Sequence, residues 1–110
     1  MPGTILTGRF ERALVYAAGL HANQVRKGSG VPYLSHLLAV ASLVLEAGGD
    51  EDEAIAALLH DGPEDQGGLA TLQHIGEQFG RRVADIVAEC SDSLEKEKPP
   101  WRLRKQAYLV

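Results

Sequence analysis

Helix-breaking residues divide this chain into pieces that suit only a bundle of short helices. Gly28-Ser29-Gly30-Val31-Pro32, Gly48-Gly49, Gly62-Pro63, Gly80 and Pro99-Pro100 recur along its length, and glycine and proline are the residues that stop helices and open turns. Between the breaks, apolar residues repeat three and four apart, the period of a helix with one buried face. Leu and Ala, 15 and 14 of them, outnumber the 12 Val and Ile, and an excess of unbranched helix formers points the same way. The expectation is an all-α fold.

The first helix is expected from Thr7, its N-cap, to Val25, with Phe10, Leu14, Ala17, Ala18, His21 and Val25 on one stripe. The 26–32 stretch is a loop. The second helix starts near Ser35 and ends at Gly48-Gly49. Its Leu37, Leu38, Val40, Ala41, Val44 and Leu45 cover more than one face, so it is expected at the centre. The third begins at the cap Asp50, with Glu51, Asp52 and Glu53 where the helix dipole favours acids. It buries Ile55, Leu58 and Leu59 and breaks at Gly62-Pro63. A polar loop follows through Gly67-Gly68. Thr71 caps a fourth helix ending at Gly80, and a fifth runs from Arg81 through Val83, Ile86, Val87 and Cys90. A sixth starts around Trp101, an anchor for that helix, and stays apolar to Val110 without a terminator. That end reads as cut, or as packed on something outside the chain.

A length of 110 residues fits one domain, 1–110. Fifteen acids against eleven bases, a net charge of −4, argue against a nucleic-acid surface or an anionic membrane surface. The single Cys90 excludes an internal disulfide and reads as a small buried residue. No apolar run reaches the ~18 residues of a membrane span, and a cytoplasmic location is the default expectation.

Two stretches carry chemistry. Leu58-Leu59-His60-Asp61-Gly62-Pro63-Glu64-Asp65 sets an imidazole and a carboxylate side by side where an apolar helix stops, with two more acids in the turn. A helix end lets neighbouring side chains converge, and neutral imidazole plus carboxylate suits Mn, Fe or Zn. The plainer reading of the same spacing is a capping histidine and solvated loop acids. Arg26-Lys27 precede a glycine-bearing loop, and Pro32-Tyr33-Leu34-Ser35-His36 open a helix. Such a doublet can clamp phosphate, Arg as a fork and Lys as a point charge, or can simply be solvated. His21 reads as a hydrogen-bonded core histidine and His74 as surface. Tyr33 either packs under a ligand or braces the loop.

Taken together, Ala18, His21, Gln24, Arg26-Lys27, Gly30, Pro32-Tyr33, His36, Ala57-Leu58-Leu59-His60-Asp61, Glu64-Asp65, Ile75, Phe79-Gly80 and Val83 resemble the HD-domain superfamily, and within it the RelA/SpoT-like alarmone hydrolases. Lys98-Pro99-Pro100-Trp101, Arg104-Lys105 and Tyr108-Leu109 look similar to the region that follows in bacterial members. The resemblance implies a helical HD-domain bundle of about six helices, shorn of its C-terminal helices. It implies one divalent metal, usually Mn²⁺, with His36, His60 and Asp61 as three ligands. Glu64 and Asp65 match the catalytic acidic pair that activates water, and Arg26 and Lys27 the basic pair of the nucleotide pocket, with Tyr33 beside them. The implied reaction removes the 3′-pyrophosphate from ppGpp or pppGpp. Other implied readings are a phosphohydrolase of another nucleotide, or an inactive module binding a nucleotide or a partner.

Leu37 stands where the resembled family often has Pro, and Gly62-Pro63 replaces a small or branched pair. The fourth ligand of that family is an Asp in a downstream Ala-Asp-Lys-x-x-Asn-type helix. No such motif occurs in this sequence, and Asp85 and Asp92 lie in the wrong context to replace it. The expectation is that this chain alone binds Mn²⁺ weakly, hydrolyses ppGpp poorly and covers its bared apolar surface by self-association, most simply as a homodimer. Sedimentation and Mn²⁺ titration check this. A monomer at tens of micromolar with tight stoichiometric Mn²⁺ and brisk turnover would overturn it.

Overall fold

A computed structural model describes residues 3–65 and 68–91. Six helices occur among them: α1 (Gly8–Leu20), α2 (Tyr33–Glu46), α3 (Glu51–Leu59), α4 (Gly62–Asp65), α5 (Gly68–Phe79) and α6 (Arg81–Ser91). The one strand-like feature among the described residues is an isolated antiparallel bridge between Val25 and Pro32. The all-α expectation holds, and no helix in this part is long and apolar enough to cross a membrane. The segment around Trp101 and Asp92 lies outside the described residues.

The centre is α3, not α2. Every residue from Ala54 to Leu59 is buried, whereas α2 buries Leu37 and Ala41 and leaves Leu43 69% exposed. A helix apolar on all sides belongs inside a fold. From Ala54 onward the sequence of α3 meets that condition, because alanines fill the positions that leucine and isoleucine do not. α1, α2 and α6 all pack on it. Small residues pack in this core, Ala13, Ala17 and Ala41 among them, and small side chains at a helix contact permit close packing.

The N-terminus of α3 is held by charge. Asp50 accepts from the Glu53 amide while the Glu53 carboxylate accepts from the Asp50 amide, a complete capping box. Arg9 of α1 lies 2.8 Å from Asp52 and 3.3 Å from Glu51 and donates to the Phe79 carbonyl. Arg82 of α6 lies 2.8 Å from Asp50 and 3.3 Å from Asp52. The acids expected to meet the helix dipole thus also moor α1 and α6. The tight turn into α3 requires glycine, since a Cβ on Gly49 would stand 2.5 Å from a Val44 methyl and 2.9 Å from its carbonyl oxygen.

Several boundaries differ from the expectation. α1 has Thr7 as its N-cap but ends at Leu20, because the following backbone turns to pair elsewhere. Tyr33 donates to the Gln24 carbonyl and Arg26 to that of Val31. Val25 is therefore in the bridge and more than half exposed, not on the α1 stripe. α2 begins at Tyr33, two residues early, and α5 at Gly68, which puts Thr71 inside the helix. α4 occupies part of the expected loop, with Pro63 at its second position, where a missing amide hydrogen costs nothing. Cys90 is half-buried.

The Thr7 amide and hydroxyl, with Arg9, hold the Glu51 carboxyl below its ordinary range. The Glu53 amide, with Arg82, does the same for Asp50. Such groups stabilise the fold above their unfolded pKa values of about 4, and the contribution is lost as pH falls through the lower folded values. Melting temperature is expected to drop steeply below pH ~4. Glu51→Gln should lower it at pH 7 and flatten that acid limb in circular-dichroism melts.

Candidate metal centre

The far end of α3 carries the candidate site. The last carbonyls of a helix lack intrahelical donors, and His60, the C-cap, supplies one with its Nδ1 2.7 Å from the Ala57 oxygen. A carbonyl only accepts, so Nδ1 carries the hydrogen and Nε2 is the nitrogen with a lone pair. That Nε2 stands 3.1 Å from Asp61 Oδ1. Two electron-rich atoms so close repel unless a proton or a cation lies between them.

Asp61 is 5% exposed, and a buried carboxylate needs partners. Its Oδ2 accepts a hydrogen bond from the Tyr33 hydroxyl and lies 3.8 Å from His36 Nε2. Tyr33 and His36 stand three residues apart at the start of α2 and therefore share one helix face. Ligand atoms of His36, His60 and Asp61 lie within 4.8 Å of one another. With bonds of ~2.0–2.2 Å, two ligands of one ion sit at most about 4.4 Å apart, so the nitrogen–oxygen spacings of 3.1 and 3.8 Å suit a shared ion. Two imidazoles and a carboxylate form a donor set for a divalent transition metal, and the residues present fit one.

The structure brings His36, His60, Asp61 and Tyr33 together. Arg26 and Lys27 are exposed on the 26–31 loop. That loop is closed by the Val25–Pro32 bridge and by hydrogen bonds from Arg26 to the Val31 carbonyl and from Gly30 to the Arg26 carbonyl. The Tyr33–Gln24 bond ties its base to the start of α2. The backbones of Glu64 and Asp65 lie in α4, just after Asp61, and their side chains fall outside what is described. His21 is 3% exposed with its Nδ1 on Gln24, a hydrogen-bonded core histidine. His74 is exposed and rests against Tyr16. The hydrogen bond from Tyr33 to Asp61 was not foreseen. Its only trace in the sequence is the three-residue offset from His36, which puts both on one helix face.

Residues 13–109 match the HD domain family. The chain is 46% identical over 77 residues to a probable GTP pyrophosphokinase of Mycobacterium leprae, covering 70% of this chain and 9% of that protein. Over the same length it is 46% identical to a guanosine-3′,5′-bis(diphosphate) 3′-pyrophosphohydrolase of Aquifex aeolicus, covering 70% and 11%. It is 39% identical over 99 residues to the bifunctional (p)ppGpp synthase/hydrolase SpoT of Escherichia coli, covering 90% and 13%. The chain thus spans about a tenth of the length of these curated relatives. A solved structure, reported under "A metazoan ortholog of SpoT hydrolyzes ppGpp and plays a role in starvation responses", superposes with a TM-score of 0.72 at 36% identity, covering 86% of this chain and 55% of that one.

A ligand that binds only the folded chain stabilises it, by about 2.7 kcal/mol at one hundred times its Kd. Added Mn²⁺ is therefore expected to raise the melting temperature by several degrees. His36→Ala and Asp61→Asn should abolish the rise, and a rise that survives in both variants would place the ion elsewhere.

Proposed function

The chain belongs to the HD domain family, and on that premise we propose that it is a metal-dependent phosphohydrolase that removes the 3′-pyrophosphate of a guanosine 3′,5′-bis(diphosphate). The observation that carries this reading is the convergence of His36, His60 and Asp61 at the end of a buried helix. The relatives' names include both a pyrophosphokinase and pyrophosphohydrolases. A compact imidazole–carboxylate centre favours hydrolysis, where water has to be activated beside a crowded set of phosphates.

In this reading His36, His60 and Asp61 hold the ion, most simply Mn²⁺. When bound, that ion would neutralise phosphate charge and make water more acidic. His60 keeps Nε2 turned to the ion because its Nδ1 is committed to the Ala57 carbonyl. Glu64 and Asp65 take the proton of the attacking water. Arg26 and Lys27 offset the remaining phosphate charge and orient the nucleotide, with Tyr33 at the base of their loop. A chain of net charge −4 needs such a local cationic element to accept a polyanion. The reading includes a cytoplasmic location, where soluble nucleotides are met, and two-fold self-association.

A second reading has one observation in its favour. Among the described residues the metal cluster contains three donors, so a helical module that binds nucleotide without turning it over is also consistent with the site.

The test is pyrophosphate release from ppGpp at saturating Mn²⁺, run beside GTP, GDP and ATP. Slow release, from ppGpp alone among these nucleotides, is expected of this chain. Glu64→Gln and Asp65→Asn should each remove most of that release while leaving Mn²⁺ binding largely intact. Near-normal rates in both variants would show that water is activated some other way. Tight ppGpp binding without release would favour the binding module.

A further inference from the structure

We propose that His21 and Tyr33 act as a positioning pair for Asp61, so that the metal centre is braced from the end of α1. The inference rests on the metal-centre reading above.

His21 is the C-cap of α1, is 3% exposed and stands outside the His36–His60–Asp61 cluster. Its Nδ1 lies 2.7 Å from Gln24 Oε1, an oxygen that only accepts, so Nδ1 carries the hydrogen. Its Nε2 is buried without a hydrogen-bond partner. A phenylalanine or leucine would fill the same space without burying a bare nitrogen. Filling the core therefore does not account for an imidazole here, and its orientation does.

Its Gln24 hydrogen bond sets the ring 5.1 Å from that of Tyr33. The backbone fixes the same contact, since Gln24 donates to the His21 carbonyl at 3.0 Å and Tyr33 to the Gln24 carbonyl at 2.9 Å. On its other neighbour, Tyr33 lies 5.4 Å from the ring of His36. A tyrosine has two side-chain torsions, and a ring held by two imidazoles and an anchored backbone leaves its hydroxyl little choice of position. That hydroxyl donates to Asp61 Oδ2, leaving Oδ1 turned toward His60. Partners of this kind orient ligating groups and hold them for the ion.

The experiment measures Mn²⁺ affinity by electron paramagnetic resonance of the free ion, with metal-free thermal melts alongside. Tyr33→Phe removes only the hydroxyl, and is expected to weaken Mn²⁺ binding by ~10-fold or more with little change in the metal-free melt. His21→Phe keeps a ring of similar shape and should weaken binding in the same direction. Because His21 acts through the Tyr33 hydroxyl, the double variant should bind no worse than Tyr33→Phe alone. Gln24→Ala, at a half-buried position, frees the His21 ring and reads the same effect should His21→Phe fold poorly. Additive losses in the double variant, or lower melting temperatures with unchanged affinity, overturn the pair. Unchanged affinity in Tyr33→Phe and Gln24→Ala, with normal binding by the wild type, overturns this inference alone. Failure of the wild-type chain to bind Mn²⁺ overturns the metal centre and the pair together.

Discussion

Burial of α3 is the constraint on which the remaining structure depends. Six consecutive buried residues oblige neighbouring helices to surround it, and α1, α2 and α6 do so. Fully burying Ile55, Leu58 and Leu59 contributes roughly 1.5–3 kcal/mol each, against a net stability of only ~5–15 kcal/mol for a typical domain. The two ends of this helix do different jobs. The acidic end is fastened by Arg9 and Arg82, and the other end presents His60 and Asp61 where the helix stops and side chains can gather.

His60 resolves the two meanings its sequence position allows. It is a capping histidine, through Nδ1 and the Ala57 carbonyl, and it offers a ligand atom, through Nε2. The capping bond makes the ligand role possible, because it decides which nitrogen keeps its lone pair. Asp61 is similar in economy: one oxygen faces His60, and the other meets Tyr33 and His36 from a different helix. A single buried carboxylate therefore joins the end of α3 to the start of α2.

The start of α2 is itself placed by a short stretch of extended backbone. The Val25–Pro32 bridge folds the 26–31 loop back so that the exposed pair Arg26-Lys27 and the inward-facing Tyr33 and His36 belong to one compact segment. Polar groups that would hold a polyanion and groups that would hold a cation thus sit on neighbouring stretches of chain. The chain that carries this segment spans about a tenth of the length of its curated relatives.

Much of this was legible in the residues themselves. Period and punctuation specify the helices, because Gly48 and Gly80 take the positive φ at which a helix ends, and Thr7 and Asp50 cap by contacts with residues two or three positions away. The adjacency of His60 and Asp61 marked the site for the same local reason. Tertiary structure decided what depends on distant partners. α2 carries more large apolar side chains than α3, yet α3 is central, since small alanines allow close approach on every side and exposed leucines do not. α1 stops at Leu20 because Gln24 and Arg26 find backbone partners at Tyr33 and Val31. The union of Tyr33, His36 and Asp61 spans 28 residues of sequence, and no local pattern encodes a contact made only when two helix ends meet around a buried third.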